Sequence, residues 1–206
     1  NYPPILYMKT LLFQESYLLI IILLILLLLF KKFYPLFIII FLFLLYFYRY
    51  PKRSNHYNDN IIVSPADGTI SDIQQLPNGY KRIVIFLSPF DVHVQWTPVK
   101  GIITDLSYKT GTFHPAFLFK KSDHNERMVT TISTQRGNVY IRQIAGILAR
   151  RIVHWLPKNQ KVNRGTPLGM IKLSSRVDID LPPRTSILVK KGDYVRGNDT
   201  KIASWL

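Results

Sequence analysis

The chain contains no cysteine, which excludes disulfides, a thiolate nucleophile and cysteine zinc ligation. That absence also fits a cytosolic domain. Acidic residues are scarce, with 12 Asp and Glu against 27 Lys and Arg and a formal net charge of +15 over 206 residues. Nothing has metal-ligand spacing, and there is no glycine-rich phosphate loop or nucleotide motif. Residues 1–48 hold only Lys9, Lys31, Lys32 and Glu15 as charged groups, so +13 of the surplus lies beyond them. A charge of that size attracts a polyanion, either nucleic acid or an anionic lipid surface. The adjoining apolar segment favours the lipid, and nucleic acid is not expected as a partner.

From Tyr17 to Tyr48 the chain is almost wholly apolar. Two runs, Tyr17 to Phe30 and Leu36 to Tyr48, flank Lys31-Lys32-Phe33-Tyr34-Pro35. Each is shorter than the roughly 20 residues a helix needs to span a bilayer core. The pattern predicts an N-terminal helical membrane hairpin over residues 1–48, either two short helices turning at Lys31 to Pro35 or a shallow re-entrant hairpin whose lysines snorkel. Both put the two ends on one side. Arg49, Lys52 and Arg53 follow directly, and the positive-inside rule places that side in the cytoplasm. The run is too long and doubled for a cleaved leader, and no small-residue cleavage site follows it. A soluble domain is expected over residues 49–206, long enough to bury its own core.

After a polar connector, Ser54 to Asn60, short β-rich runs alternate with turn residues. They include Ile61 to Val63, Arg82 to Leu87, Met128 to Thr134, Val139 to Ile144 and Ile187 to Lys190. Ile147 to His154 reads equally as helix or strand. The fold class is therefore predominantly β (β-rich α+β). A weak echo links Lys161 to Ile171 with Gly192 to Ala203: a valine shortly before a glycine, then a short apolar strand. Such an echo suggests the hairpins of lipoyl-like barrel-sandwich domains, or simply two β-turns.

The chemistry concentrates at Gly169 to Pro182, where Ser174-Ser175 interrupts a strand-like pattern. A serine held on a tight bend can attack the preceding peptide carbonyl through its hydroxyl, an N-to-O acyl shift that breaks the chain. A serine hydroxyl is weak at its free pKa and needs a base, commonly a histidine oriented by a carboxylate. His93, in Phe90-Asp91-Val92-His93-Val94, and Asp67, in Ser64-Pro65-Ala66-Asp67-Gly68, can supply these groups. Taken alone, a histidine in a strand is more often structural, and an aspartate before glycine is most often a turn residue.

Together, the motifs SPADG (64–68), LSPFDVHV (87–94), NER (125–127), QIAGILARRIV (143–153) and GMIKLSSRVDIDLP (169–182) resemble, in order and spacing, the short-form phosphatidylserine decarboxylase proenzymes of bacteria and archaea. The resemblance covers about Arg49 to Ala203. It implies that Asp67, His93 and Ser175 form a self-processing set and that Ser175 attacks the Ser174 carbonyl. The chain would then be cut into a β chain, 1–174, and an α chain, 175–206, headed by a pyruvoyl group derived from Ser175. That cofactor would serve as an electron sink for decarboxylating phosphatidylserine to phosphatidylethanolamine, with His93 as proton donor.

Two departures from the family pattern stand out. The processing site is usually Gly-Ser, and here it is Ser174-Ser175. The short-form branch usually has Asn-Arg where this chain has Gln95-Trp96, so a basic side chain for the head group is missing there. Arg127, with Arg150 and Arg151, is a substrate-binding candidate by forked hydrogen bonds, or else a salt-bridging or solvated residue. His114, His124 and His154 match no catalytic position of the family. The expected partners are phosphatidylserine, an anionic phospholipid membrane and the complementary chain of the same precursor, and a homo-oligomer is compatible with the sequence. The competing readings are an unprocessed, inactive relative that binds anionic lipid and a non-catalytic barrel-sandwich adaptor.

Overall fold

The computed structural model describes residues 5–54, 56–112, 125–146, 152–172 and 175–206, with side chains described from residue 16 onward. The chain divides into two compact units, Asn1–Pro51 and Lys52–Leu206. The first consists of helix α1 (Ile5–Leu29), a 3-10 turn at Lys31–Phe33 and helix α2 (Tyr34–Phe47). Pro35 lies in the first turn of α2, where its missing N–H costs no helical hydrogen bond. Helix α1 begins well before Tyr17 because Gln14 and Glu15 are good helix formers that do not interrupt it. Among the described residues no single helix is long and apolar enough to cross a membrane, but Ser16–Leu29 and Lys31–Phe47 together meet that test as a pair bent by 117°.

The second unit is all β among its described residues. Its strands are β1 (Ile61–Val63), β2 (Gly68–Gln75), β3 (Lys81–Leu87), β4 (Val94–Trp96), β5 (Gly101–Lys109), β6 (Arg127–Thr134) and β7 (Gly137–Ala145). There follow β8 (Ile152–His154), β9 (Lys161–Val162), β10 (Pro167–Ile171), β11 (Ser175–Leu181), β12 (Thr185–Ile187), β13 (Tyr194–Val195) and β14 (Lys201–Trp205). They form an eight-stranded sheet, β13-β2-β3-β11-β7-β6-β5-β9, and two three-stranded sheets, β1-β14-β12 and β4-β10-β8.

Strand alternation sets the two faces of the large sheet. Ile83, Ile85, Ile141, Val177 and Ile179 are fully buried on the inner face and belong to one core cluster. Each such side chain contributes about 1.5–3 kcal/mol. On the other face of β11 stand Arg176, Asp178 and Asp180, also buried. Arg176 forks onto Asp178 at 2.6 and 2.8 Å, while Asp180 receives Arg82 and Arg142, each at 2.7 Å.

The sheet orders reveal a duplication. Strands β4 to β10 form one continuous seven-strand unit, and β1-β2-β3 with β11-β12-β13-β14 form a second that is split around it. Exchanging β13 with β9, β2 with β5, β3 with β6 and β11 with β7 reverses the large sheet onto itself. The three-stranded sheets correspond in the same way. The sequence carries the match: Ser64-Pro65 to Asp72 and Thr97-Pro98 to Asp105 share Pro, Gly, Ile and Asp at positions 33 apart. Register irregularities fall at Ile70/Asp72 and at Ile103/Asp105. The units clasp each other reciprocally, with Trp96 N–H donating to Pro65 O at 2.8 Å and Val63 N–H to Pro98 O at 3.2 Å.

The duplication corrects the reading of the valine–glycine echo as hairpins. Strand β9 pairs with β5 and β13 with β2, so the two echoes are the edge strands of the large sheet. In each case the chain then turns through a residue with positive φ, Gly165 or Asn198, and crosses to become the centre of a three-stranded sheet. One further difference is local. Only Ile187 of the expected Ile187 to Lys190 strand is extended, since Lys190 N–H donates instead to Asp193 Oδ2 in a turn. Residues 152–154 are strand, and the rest of the Ile147 to His154 segment lies outside the described residues.

Candidate active site

The two units of the duplication are joined by two crossovers, residues 88–93 between β3 and β4 and residues 172–174 between β10 and β11. Ser175 is the first residue of β11, paired with Leu87 on one side and Ala145 on the other. Cross-strand partners share a face, so its side chain points inward between two buried apolar residues. It is fully buried, and among the described residues its hydroxyl has no hydrogen-bond partner. An unpartnered buried hydroxyl costs about 1–3 kcal/mol, and alanine would avoid that cost. A purely structural role does not account for the serine.

His93 ends the other crossover and is also fully buried. Its backbone carbonyl accepts Ile171 N–H at 3.3 Å. Since Ser175 follows Ile171 by four residues, their Cα atoms are at most about 14 Å apart. The Leu87–Ser175 pairing and the His93–Ile171 hydrogen bond thus hold the ends of the two crossovers together. His93 Nδ1 lies 2.9 Å from the Asp91 carbonyl oxygen. A carbonyl can only accept, so Nδ1 carries the proton and Nε2 of the neutral ring is the basic nitrogen. The Asp91 carboxylate fixes this turn, accepting Ser88 N–H at 2.7 Å and the Tyr194 hydroxyl at 2.8 Å. The Tyr194 phenol is pushed up from its ordinary value, first by burial of the hydroxyl end and next by its hydrogen bond to Asp91 and the charges of Asp91 and Asp67, with Arg53 opposing.

Asp67 lies in the loop between β1 and β2. Its carboxylate takes a two-pronged grip from Arg53: Nη1 to Oδ1, and Nη2 to Oδ2 at 2.7 Å. Gly197 N–H donates to Oδ1 at 2.7 Å. The hydrogen bonds of Asp67 thus run to Arg53 and Gly197, while Nδ1 of His93 is oriented by Asp91. Within the continuous unit, Gln143 Nε2 donates to Gln95 Oε1 through a buried bond of 2.8 Å that ties β7 to β4, and Gln95 also donates to the His93 carbonyl at 2.6 Å.

Ser174 lies outside the described residues, as do Arg150, Arg151, His114 and His124. Arg127 pairs with Ile144, which pairs with Arg176. The register therefore places Arg127 on the face of the sheet opposite Ser175. His154 serves the core: Nε2 is 2.9 Å from Thr130 Oγ1, and burial lowers its pKa from 6.5 to about 4 against a backbone hydrogen bond with Leu156. Below pH 6.5 the unfolded chain binds a proton that the fold refuses, so this contribution is intact above that value and is lost as pH falls toward 4. Urea unfolding should show roughly 3 kcal/mol of lost stability across that window, and His154→Gln should flatten the loss. Equal slopes in both proteins would discount the histidine.

Comparison with known proteins places this geometry. The sequence profile of the phosphatidylserine decarboxylase family matches residues 40–203. The chain belongs to the phosphatidylserine decarboxylase family. It is 39% identical to a phosphatidylserine decarboxylase proenzyme of Thermobifida fusca over 157 residues, covering 76% of this chain and 71% of that one. A Wolbachia pipientis protein of the same name is 40% identical over 170 residues, covering 77% and 74% of the respective chains. A Methanosarcina barkeri protein with the provisional name archaetidylserine decarboxylase proenzyme is 40% identical over 158 residues, covering 77% and 75%.

Within this family member, Arg53, Asp91, Tyr194 and Gln143 escape a reading of the sequence. Their contacts join segments as much as 145 positions apart, beyond any local periodicity. Two signals were available. Asp91 belongs to the same five-residue motif as His93, and the Ser-Pro/Thr-Pro repeat at 33-residue spacing places residues 63–68 against 96–101.

Proposed function

We propose that this chain is a self-processing, pyruvoyl-dependent decarboxylase that converts phosphatidylserine to phosphatidylethanolamine and carbon dioxide. The observation that carries the reading is the fully buried Ser175 hydroxyl, without a hydrogen-bond partner among the described residues, at the head of β11 beside the crossover that ends in His93. Intact-mass measurement of the purified protein tests it: two chains, 1–174 and 175–206, are expected, the second lacking an amino group. A single uncut chain after prolonged incubation would overturn it.

In this reading Ser175 Oγ adds to the carbonyl carbon of residue 174, its proton passing to His93 Nε2. An ester C–O bond forms as the C–N bond to Ser175 breaks, and the freed amine is protonated. Loss of the residue 175 α-proton then expels the residue 174 carboxylate and leaves dehydroalanine. Its imine tautomer takes up water and releases ammonia, giving a pyruvoyl group amide-linked to Arg176. The site fits that group, since Leu87 and Ala145 flank position 175 with apolar surface and the serine hydroxyl has no hydrogen bond to lose. Once formed, the pyruvoyl carbonyl supplies the electron sink for loss of the substrate carboxylate. His93, with Nδ1 fixed by Asp91, keeps Nε2 available to accept a proton and return it at the α-carbon.

His93→Ala should slow chain cleavage by at least about 100-fold. Asp67→Ala should do the same. Cleavage at the natural rate in either variant, followed on denaturing gels, would remove that residue from the set.

The first unit serves in this reading as a membrane anchor, with the catalytic unit on the cytoplasmic side. Leu28 and Ile39 are 71% and 64% exposed, amid an apolar surface far larger than a soluble protein leaves in water. The cationic surplus beyond residue 48 favours an anionic lipid surface.

A further inference from the structure

The self-processing reading leaves Arg53 without a role, although its guanidinium contacts Asp67, Gly197 and Trp96. Arg53 follows the last residue of α2 by six positions, in the connector of residues 48–60 between that helix and β1, which the family motifs do not include. Its side chain is only 6% exposed, against 4% for Asp67. Besides gripping both oxygens of Asp67, Nη1 donates to Gly197 O at 2.8 Å, and the Arg53 carbonyl accepts Asn198 Nδ2 at 3.1 Å. The guanidinium carbon lies 5.1 Å from the centroid of the Trp96 ring. That ring is held in turn: a Cβ at Gly197 would lie 2.6 Å from two of its carbons. Three segments thus converge on the guanidinium that the connector carries: the Ser64 to Gly68 loop, β4 and the turn after β13.

The set of contacts suits guanidinium better than an ammonium. A planar fork matches a carboxylate bidentately and lies flat on an indole, whereas an ammonium does neither. Position 96 is also where the family pattern leads one to expect a basic side chain. In this chain the cation comes from the connector and lies over the tryptophan that stands in its place.

Building on the self-processing reading, we propose that Arg53 is a positioning residue for chain cleavage: seated on Trp96, it fixes the Asp67 carboxylate and neutralises its charge. The connector that follows the helices is therefore part of the processing site. Gly197 and Asn198 belong to the segment that becomes the α chain, so the same contacts tie residue 53 to that chain after the cut.

Cell-free synthesis of the full chain with detergent, sampled over time on denaturing gels, tests this. Arg53→Ala should cleave about tenfold more slowly or worse, and added guanidinium should restore most of the lost rate. Arg53→Lys, which keeps the charge but loses the fork, should remain slow and respond less to guanidinium. Thermal melts of both variants locate folding losses, and if Arg53→Ala fails to fold, Arg53→Lys carries the test. Cleavage of Arg53→Ala or of a folded Arg53→Lys at the natural rate would overturn the inference while leaving self-processing intact. So would slow cleavage of folded Arg53→Ala that guanidinium does not restore. Failure of the unsubstituted chain to cleave would overturn the parent reading, and this one with it.

Discussion

Ser175→Ala is expected to abolish cleavage completely and leave a single chain with no decarboxylase activity, because no other atom at position 175 can form the ester. The same substitution should not destabilise the fold. It removes a buried hydroxyl that has no hydrogen-bond partner among the described residues, in an inward-facing position between Leu87 and Ala145 where a methyl group fits. Stability should stay level or rise by about 1 kcal/mol. Gain of stability with total loss of processing is the signature of a residue kept for its chemistry. Intact mass and thermal melting of the variant provide both readings. Residual cleavage between 174 and 175 would remove Ser175 as the nucleophile, and a large fall in melting temperature would mean that its hydroxyl has a structural task.

The chemistry of the chain is easier to read in its sequence than the architecture that organises it. Ser175, His93 and Asp67 stand in short motifs, and strands such as β3 and β7 announce themselves as β-rich runs bounded by turn residues. The sequence does not reveal that β9 and β13 close opposite edges of one sheet, because a two-residue strand carries no periodicity. Nor does it show that Asp67 faces a guanidinium. Arg53 reads as a flanking charge of the apolar segment, and only folding brings residue 53 against residues 67, 96 and 197. The duplication explains the placement of the chemistry. A fold of two matching units, one inserted into the other, has two crossovers, and the Leu87–Ser175 and His93–Ile171 contacts keep their ends adjacent. Cutting one crossover leaves β11 to β14 held by pairing with β3, β7, β2 and β1, so the chain can be severed there without losing the sheet.

The outer face of β11 carries the second large effect. Asp178→Ala should destabilise the protein by about 3–5 kcal/mol, the cost of leaving a buried charge without its counterion. Arg176 and Asp178 are 2% and 1% exposed at the side chain, joined by two hydrogen bonds of 2.6 and 2.8 Å. Burial drives the Asp178 carboxyl above the usual carboxylate range, opposed by Arg176 and Arg82. Desolvation therefore offsets much of the attraction, and the intact pair contributes little net stability. This separates two outcomes that a simple salt-bridge account would merge. Removing Asp178 alone takes from the buried Arg176 guanidinium the carboxylate it forks onto, whereas replacing both, as Arg176→Met with Asp178→Leu, removes both desolvation costs. The double variant should recover most of the stability lost in Asp178→Ala. Because side chains at 176 and 178 point away from Ser175, a folded double variant should still cleave. Chemical unfolding of the two proteins decides the energetic question: a double variant as unstable as the single one would show that the pair holds the sheet together rather than offsetting its own burial.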